Sequence, residues 1–193
     1  MHNVAQQVFL LRHGETEWSL SGQHTSRTDI PLTDNGRRLA ESLAPLLAKE
    51  SFGLVHTSPM QRARETCELA GLAECAEIDP DLNEWDYGDY EGLTPDEIHA
   101  GAPEWMIFQD GCPGGESPAQ VSARVDRVSE RVRSVQRDVA LFTHGHVARV
   151  LAVRWIGLPV ECGSNFLLDT ATLNILSSYR GIPAVKRWNA IPS

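Results

Sequence analysis

The chain has 193 residues, 41% of them hydrophobic and 22% charged, with a formal net charge of −9; this fits one globular domain with a sizeable core and argues against a general nucleic-acid or anionic-membrane surface. Cys67, Cys75, Cys112 and Cys162 are too widely spaced for a zinc knuckle or a disulfide scaffold. Met1 to Gln7 lack the basic-then-apolar pattern of a signal peptide and no run reaches membrane-spanning length, so the expected location is cytoplasmic.

The apolar run Val8 to Leu11 reads as a buried strand that ends abruptly in Arg12, His13 and Gly14. Strand ends of this kind line the ligand crevice of an open α/β sheet, and the glycine allows either a tight turn or close approach to an anion. Glu15 to Leu32 contains Gly22 and Pro31 but no sustained periodicity, so it is expected to be an ordered loop. From Thr33 the pattern is helical, with Leu39, Leu43, Leu46 and Leu47 on one face and Pro45 as a kink or early stop. Gly53 to Thr57 reads as a second strand, and Ser58-Pro59-Met60-Gln61 predicts a helix start with Ser58 as its N-cap. Arg62 then falls in the first helical turn, where the macrodipole favours an anion; a bound phosphate would reconcile the two.

Ala76 to Leu82 reads as a strand or extended segment, and Asn83 to Gly92, rich in acids, aromatics and glycine, as loop rather than core. Thr94 to Gly115, with a short helix over Asp96 to Ala100 and a glycine-proline cluster at its end, resembles a lid. The expectation is one domain over 1–193 with a flap-like insertion around 86–116. Ser117 opens a longer helix whose Val121, Val125, Val128, Val132 and Val135 recur at alternating spacings of four and three. Val139 to Phe142 is a buried strand ending in Thr143-His144-Gly145-His146, the second strand to end in histidine and glycine. A helix through Trp155 stops near Gly157 and Pro159, and two strands, Thr172 to Tyr179 and Val185 to Ala190, close the chain. Strand-helix alternation predicts a three-layer α/β/α fold with a mostly parallel sheet.

If both histidine-bearing strands end on one side of the sheet, His13 and His144 face each other with Arg12 beside them and Arg62 at a helix entrance. That is a cationic cluster in an acidic chain. A phosphoryl group in transfer spreads charge over three oxygens and needs positioning and charge stabilisation, which the planar fork of arginine supplies. A histidine at the centre could accept the phosphoryl group covalently, dividing one hard displacement into two easier ones. Glu84, with Trp85 as an apolar neighbour, is the candidate general acid for the leaving group and then base for water.

These residues carry a resemblance. LLRHGETEW, SPMQRARET, NEWDYGDYEG, GGES and FTHGH occur in the order found in the histidine phosphatase superfamily, the phosphoglycerate-mutase-like fold, and together they span nearly the whole chain. The resemblance implies that His13 becomes phosphorylated, that Arg12, Arg62 and His144 hold the phosphoryl oxygens, and that Glu84 donates the proton. It implies further that Thr16, Ser19, Gln23, Thr25 and Ser26 line the substrate side. The segment Trp18 to Thr33 is most similar to a branch of small acid phosphatases and sedoheptulose-bisphosphatase-like enzymes, from which Ser26 departs where glycine is often found.

The expected activity is hydrolysis of a small phosphorylated metabolite, such as a sugar phosphate, without cofactor or metal. No Lys or Arg lies between Arg64 and Arg124, so the flap has no permanent cation for a second anionic group; this favours a phosphatase over a mutase. The same absence weighs, less strongly, against a bisphosphate substrate, because His24, Arg27 or Arg180 could reach it from elsewhere. Two other readings are a metal site on His13, His144 and His146, opposed by the flanking arginines, and a phosphate-binding module without turnover, which needs no general acid. His2, His56 and His99 have no part in this scheme, Trp85 and Trp105 are candidates to close over substrate, and the sequence leaves the oligomeric state open.

Overall fold

The structure, a computed structural model, describes residues 5–192. Strands β1 (Val8–Arg12), β2 (Phe52–Thr57), β3 (Ala76–Ile78), β4 (Asp138–Thr143), β5 (Leu173–Tyr179) and β6 (Ile182–Ala190) form one sheet in the order β3-β2-β4-β1-β5-β6. Neighbours from β3 through β1 pair in parallel, while β5 runs antiparallel to both β1 and β6. Among the described residues, five strands therefore share one direction and β5 reverses, as a mostly parallel sheet requires. The reversal is local. Arg180 and Gly181 take φ of 52° and 83°, the positive pair that closes a two-residue hairpin with the native twist.

Successive residues of a strand point to opposite faces, and β1 and β4 are apolar on both. Val8, Leu10, Val139 and Leu141 belong to one core cluster, Phe9, Leu11, Ala140 and Phe142 to the other. Helices α7 (Pro118–Ser134) and α8 (Gly145–Trp155) cover the first face. There Val121, Val125, Val128 and Val132 are buried, each stabilising by roughly 1.5–3 kcal/mol relative to an exposed side chain. Around the second face pack α2 (Asp34–Glu41), α3 (Ala44–Leu47) and α4 (Gln61–Leu69). No helix among the described residues is long and apolar enough to cross a membrane.

Local departures from the sequence reading have identifiable causes. The segment expected as a loop holds helix α1 (Glu17–Ser21), one turn long: Thr16 Oγ1 accepts from Ser19 N–H at 3.1 Å, Ser19 Oγ accepts from Thr16 N–H at 2.8 Å, and Gly22 ends it at φ 81°. A single turn has no room for apolar periodicity, so only its capping box could announce it. The helix from Thr33 is two helices, because Pro45, in the first turn of α3, has no N–H with which to continue α2. Ser58 is not an N-cap. That position belongs to Met60, and Asp29 Oδ1, from a distant loop, accepts the Gln61 N–H at 2.8 Å. The strand after Ala76 is only three residues long and gives way to a 3-10 turn at Pro80–Leu82.

The region after Leu82 is not wholly loop chemistry either. Trp85 is completely buried, packs edge-on against Phe108 with ring centroids 5.7 Å apart, and donates its indole N–H to the Glu116 carbonyl at 2.9 Å. It is core rather than a cover for substrate. Beyond it lie α5 (Pro95–Gly101) and α6 (Ile107–Asp110), the second of these not anticipated.

Candidate active site

Register brings the two histidines together. Arg12 pairs with Thr143 across the parallel β1–β4 ladder, so the next residues of each strand, His13 and His144, emerge side by side with ring centroids 5.2 Å apart. His13 Nδ1 lies 2.7 Å from the Gly14 carbonyl. A carbonyl only accepts, so Nδ1 carries the proton and Nε2 keeps its lone pair. Burial, then the charges of Arg62 and Arg12, hold the His13 imidazole well below its usual pKa, leaving it neutral near pH 7.

Gly14 has a packing reason to be glycine that the sequence did not offer. Its φ is not among the positive values, and a Cβ there would lie 2.5 Å from the carbonyl oxygen of Gly36 in α2. A Cβ on Gly36 would in turn meet the Glu15 carbonyl at 2.2 Å. The glycine allows a helix backbone to approach the strand end.

Arg12 donates to the Leu168 carbonyl, while its Nε, though buried, has no hydrogen-bond partner among the described residues. Arg62 is completely buried. Its Nε donates to His144 Nδ1 at 3.2 Å, Nη1 to the Thr28 carbonyl at 3.1 Å, and Nη2 to the Thr25 and Ser26 carbonyls at 3.1 and 3.2 Å. Four of its five N–H groups are thus engaged and one on Nη1 is left. Since His144 Nδ1 accepts, its Nε2 carries the proton and donates to Ser58 Oγ at 2.8 Å. With both nitrogens committed in this way, His144 is poorly disposed to ligate a metal.

The loop that seats Arg62 has its own anchor. Glu91 accepts the Ser26 and Thr28 N–H groups at 3.0 Å and the Ser26 hydroxyl at 2.6 Å. Glu84 is anchored at the start of α8, where it accepts the N–H groups of His146 at 3.1 Å and Val147 at 3.0 Å, besides that of Trp85 at 2.8 Å. His144, the N-cap residue of α8, makes no side-chain cap of its own; Glu84 performs that task from another segment.

A cavity of about 210 Å³ opens over this cluster. Of the candidate residues, Arg12, His13, Glu84, Thr16, Ser19, Gln23 and Thr25 line it. Arg62 and His144 lie behind its wall. Ser26 faces a neighbouring cavity of about 290 Å³ instead, held there by Glu91. Sequence reasoning missed Tyr87 and Arg149, which also line the cavity over His13, together with His146, considered there only as a metal ligand, and His24, considered only as a contact for a second anionic group. For Arg149 a signal existed: Gly145 and Arg149 are four apart on one helix face. His56 pairs with Asp79 at 3.1 Å and His99 lies 3.1 Å from the Trp105 carbonyl; neither lines this cavity. His2 lies outside the described residues. Trp105 packs against His24, ring centroids 5.7 Å apart.

Comparison with known proteins agrees with this geometry. The family model described as histidine phosphatase superfamily (branch 1) matches residues 8–191. An acid phosphatase of Mycobacterium tuberculosis is 42% identical over 181 residues, 91% of this chain and 88% of the relative. A sedoheptulose 1,7-bisphosphatase of Saccharomyces cerevisiae is 35% identical over 83% of this chain and 71% of its own length. A solved structure of a Mycobacterium tuberculosis open reading frame superposes with a TM-score of 0.93 at 38% identity, covering 97% of this chain and 99% of the other.

Proposed function

This chain belongs to the histidine phosphatase superfamily, branch 1, and from that premise we propose that it hydrolyses phosphomonoesters of small metabolites in the cavity over His13, through a phosphohistidine at that residue. The observation that carries the reading is the state of His13: Nδ1–H tied to the Gly14 carbonyl, the ring neutral, and a buried, unpartnered Arg12 Nε–H beside it.

In the first step the Nε2 lone pair of His13 attacks phosphorus, the bond from phosphorus to the ester oxygen breaks, and Glu84 delivers its proton to that oxygen. In the second, water attacks phosphorus, the nitrogen–phosphorus bond breaks, and the water proton passes to Glu84 as orthophosphate leaves. Arg12 stabilises the charge on the transferring oxygens directly. Arg62 contributes its remaining Nη1–H and its field. His144, held well below its usual pKa by burial and by Arg62, stays neutral and acts by accepting from Arg62 Nε, which orients that guanidinium. The four cysteines are unpaired, which supports a reducing, cytoplasmic setting.

The test is covalent trapping. Protein quenched during turnover of p-nitrophenyl phosphate should carry acid-labile phosphate, and His13→Ala should carry none. Phosphate retained on that variant, or turnover by it, overturns the assignment.

A further inference from the structure

The backbone that carries Glu84 has no strand to lean on. Asn83 to Tyr87 belong to no helix or sheet, so their buried polar groups need partners from elsewhere. Side chains supply them. Arg124, buried on α7, donates through Nη1 to the carbonyls of Asp81 at 2.8 Å and Asn83 at 2.7 Å, and through Nη2 to that of Glu84 at 3.3 Å. The hydroxyl of Thr143, the last residue of β4, donates to the Leu82 carbonyl at 2.7 Å. Two side chains thus hold four consecutive carbonyls, Asp81 to Glu84.

Glu116 grips the chain beyond Glu84. Its carboxylate accepts the Asp86 N–H at 2.9 Å and, from Arg124, Nε at 3.0 Å and Nη2 at 2.7 Å. Its own N–H donates to the Asp86 carbonyl at 2.9 Å. All five N–H groups of Arg124 are therefore engaged, three on the segment and two on the residue that holds the segment's other end. Arg127 and Arg131 of the same helix bind the carboxylates of Asp79 and Asp81 instead. A largely buried ion pair gains little stability over apolar packing of the same volume; what Arg124 and Glu116 secure is the path of the chain.

That path matters to the chemistry. The Glu84 carboxylate hangs on the His146 and Val147 amides of α8, while its backbone hangs on α7 through Arg124. Glu84 lines the cavity over His13; Arg124 and Glu116 do not, and line the neighbouring cavity of about 290 Å³. Proton transfer needs the donor within about 2.6–3.2 Å of the leaving oxygen, and misplacement by about 1 Å costs on the order of 10²-fold.

We infer that Arg124 and Glu116 are positioning residues for proton transfer: without touching substrate, they fix the backbone of Glu84 so that its carboxyl meets the leaving oxygen. The inference rests on Glu84 as proton donor in the reading above.

The test uses p-nitrophenyl phosphate, phenyl phosphate and glycerol 3-phosphate, whose leaving oxygens run from least to most basic. Arg124→Lys keeps the charge, but a compact ammonium cannot span three carbonyls and a carboxylate. Its kcat should fall about tenfold or more further on glycerol 3-phosphate than on p-nitrophenyl phosphate, with phenyl phosphate between them and KM little altered. Glu116→Gln should follow more weakly, and it carries the test if the lysine variant does not fold; a thermal melt accompanies each. In a Glu84→Gln background Arg124→Lys should add no further dependence on the leaving group. Arg127→Met, which loses only contacts to the Asp81 carboxylate and its own helix, should leave the ratio between substrates as it is. An equal fall on all three substrates, a lowered melt with the ratio intact, or dependence added on top of Glu84→Gln overturns the inference and leaves the phosphatase reading standing. Absence of leaving-group dependence in Glu84→Gln itself, or turnover of no probe, overturns both the inference and the reading it rests on.

Discussion

The two ends of the cavity are built by different means. At the phosphoryl end, His13 and His144 follow directly from paired positions of two buried strands, so hydrogen-bond register alone sets them side by side. At the other end, His24 comes from the turn after α1, Tyr87 from the segment between Trp85 and α5, and His146 and Arg149 from the start of α8. The first end is as rigid as the sheet core. The second depends on how separate segments dock, which is where a change of substrate can occur without disturbing the chemistry.

The sharpest way to separate the ends is to remove the proposed nucleophile. His13→Ala should lower kcat by at least about 10⁴-fold for every substrate, measured by phosphate release, because no leaving group can compensate for a missing acceptor. A variant that loses activity on some substrates only would place His13 at the wrong end. Glu84→Gln reports on the boundary between the ends: kcat should drop roughly 10²- to 10⁴-fold for alkyl phosphates and far less for p-nitrophenyl phosphate, whose leaving group needs no proton. A uniform loss across both would rule out general acid catalysis by this residue.

Glu91→Ala probes the connection between loop and chemistry. Without its carboxylate, the Ser26 and Thr28 amides lose their acceptor and the carbonyls that seat Arg62 loosen. The expected cost is about 1–3 kcal/mol of stability, the penalty for stranded buried donors, together with a fall in kcat that Glu91→Gln partly rescues. A melt that shifts with kcat unaltered would limit Glu91 to holding the loop.

The last effect concerns stability against pH and leaves the chemistry untouched. His13, His144 and His146 are all held well below the usual histidine value, first by burial and then by neighbouring cations. Below pH 6.5 the unfolded chain binds protons that these rings refuse in the fold, so stability falls as pH drops and recovers as it rises toward 6.5. Each histidine contributes at most about 1.4 kcal/mol per pH unit. Melting curves from pH 7.5 to 5.0 should show a progressive loss that millimolar phosphate lessens, because an anion favours the charged rings. A flat profile would contradict the buried, neutral assignment.

How much was legible in the sequence follows the same division. The strands ending in Arg12-His13 and Thr143-His144 could be read because burial on both faces makes a continuous apolar run, and an abrupt polar end stands out against it. The valine face of α7 was equally plain. Helix α1 was not, since five residues held by a capping box give no periodic signal. Ser58 looked like a cap from its neighbours, yet Asp29, far away in sequence, caps that turn. Tyr87 was missed for a related reason: contacts between distant segments bring it to the cavity, whereas Arg149 left a local signal in its spacing of four from Gly145.

Arg62 is seated by the carbonyl oxygens of Thr25, Ser26 and Thr28, groups that every amino acid carries. Mutation at those positions can therefore alter what the loop presents to a ligand while the arginine keeps its seat, provided the backbone path is kept. A lineage could exchange substrates through this loop in single steps without first passing through an inactive ancestor. The burden of constancy would fall instead on Glu91, whose carboxylate maintains that path.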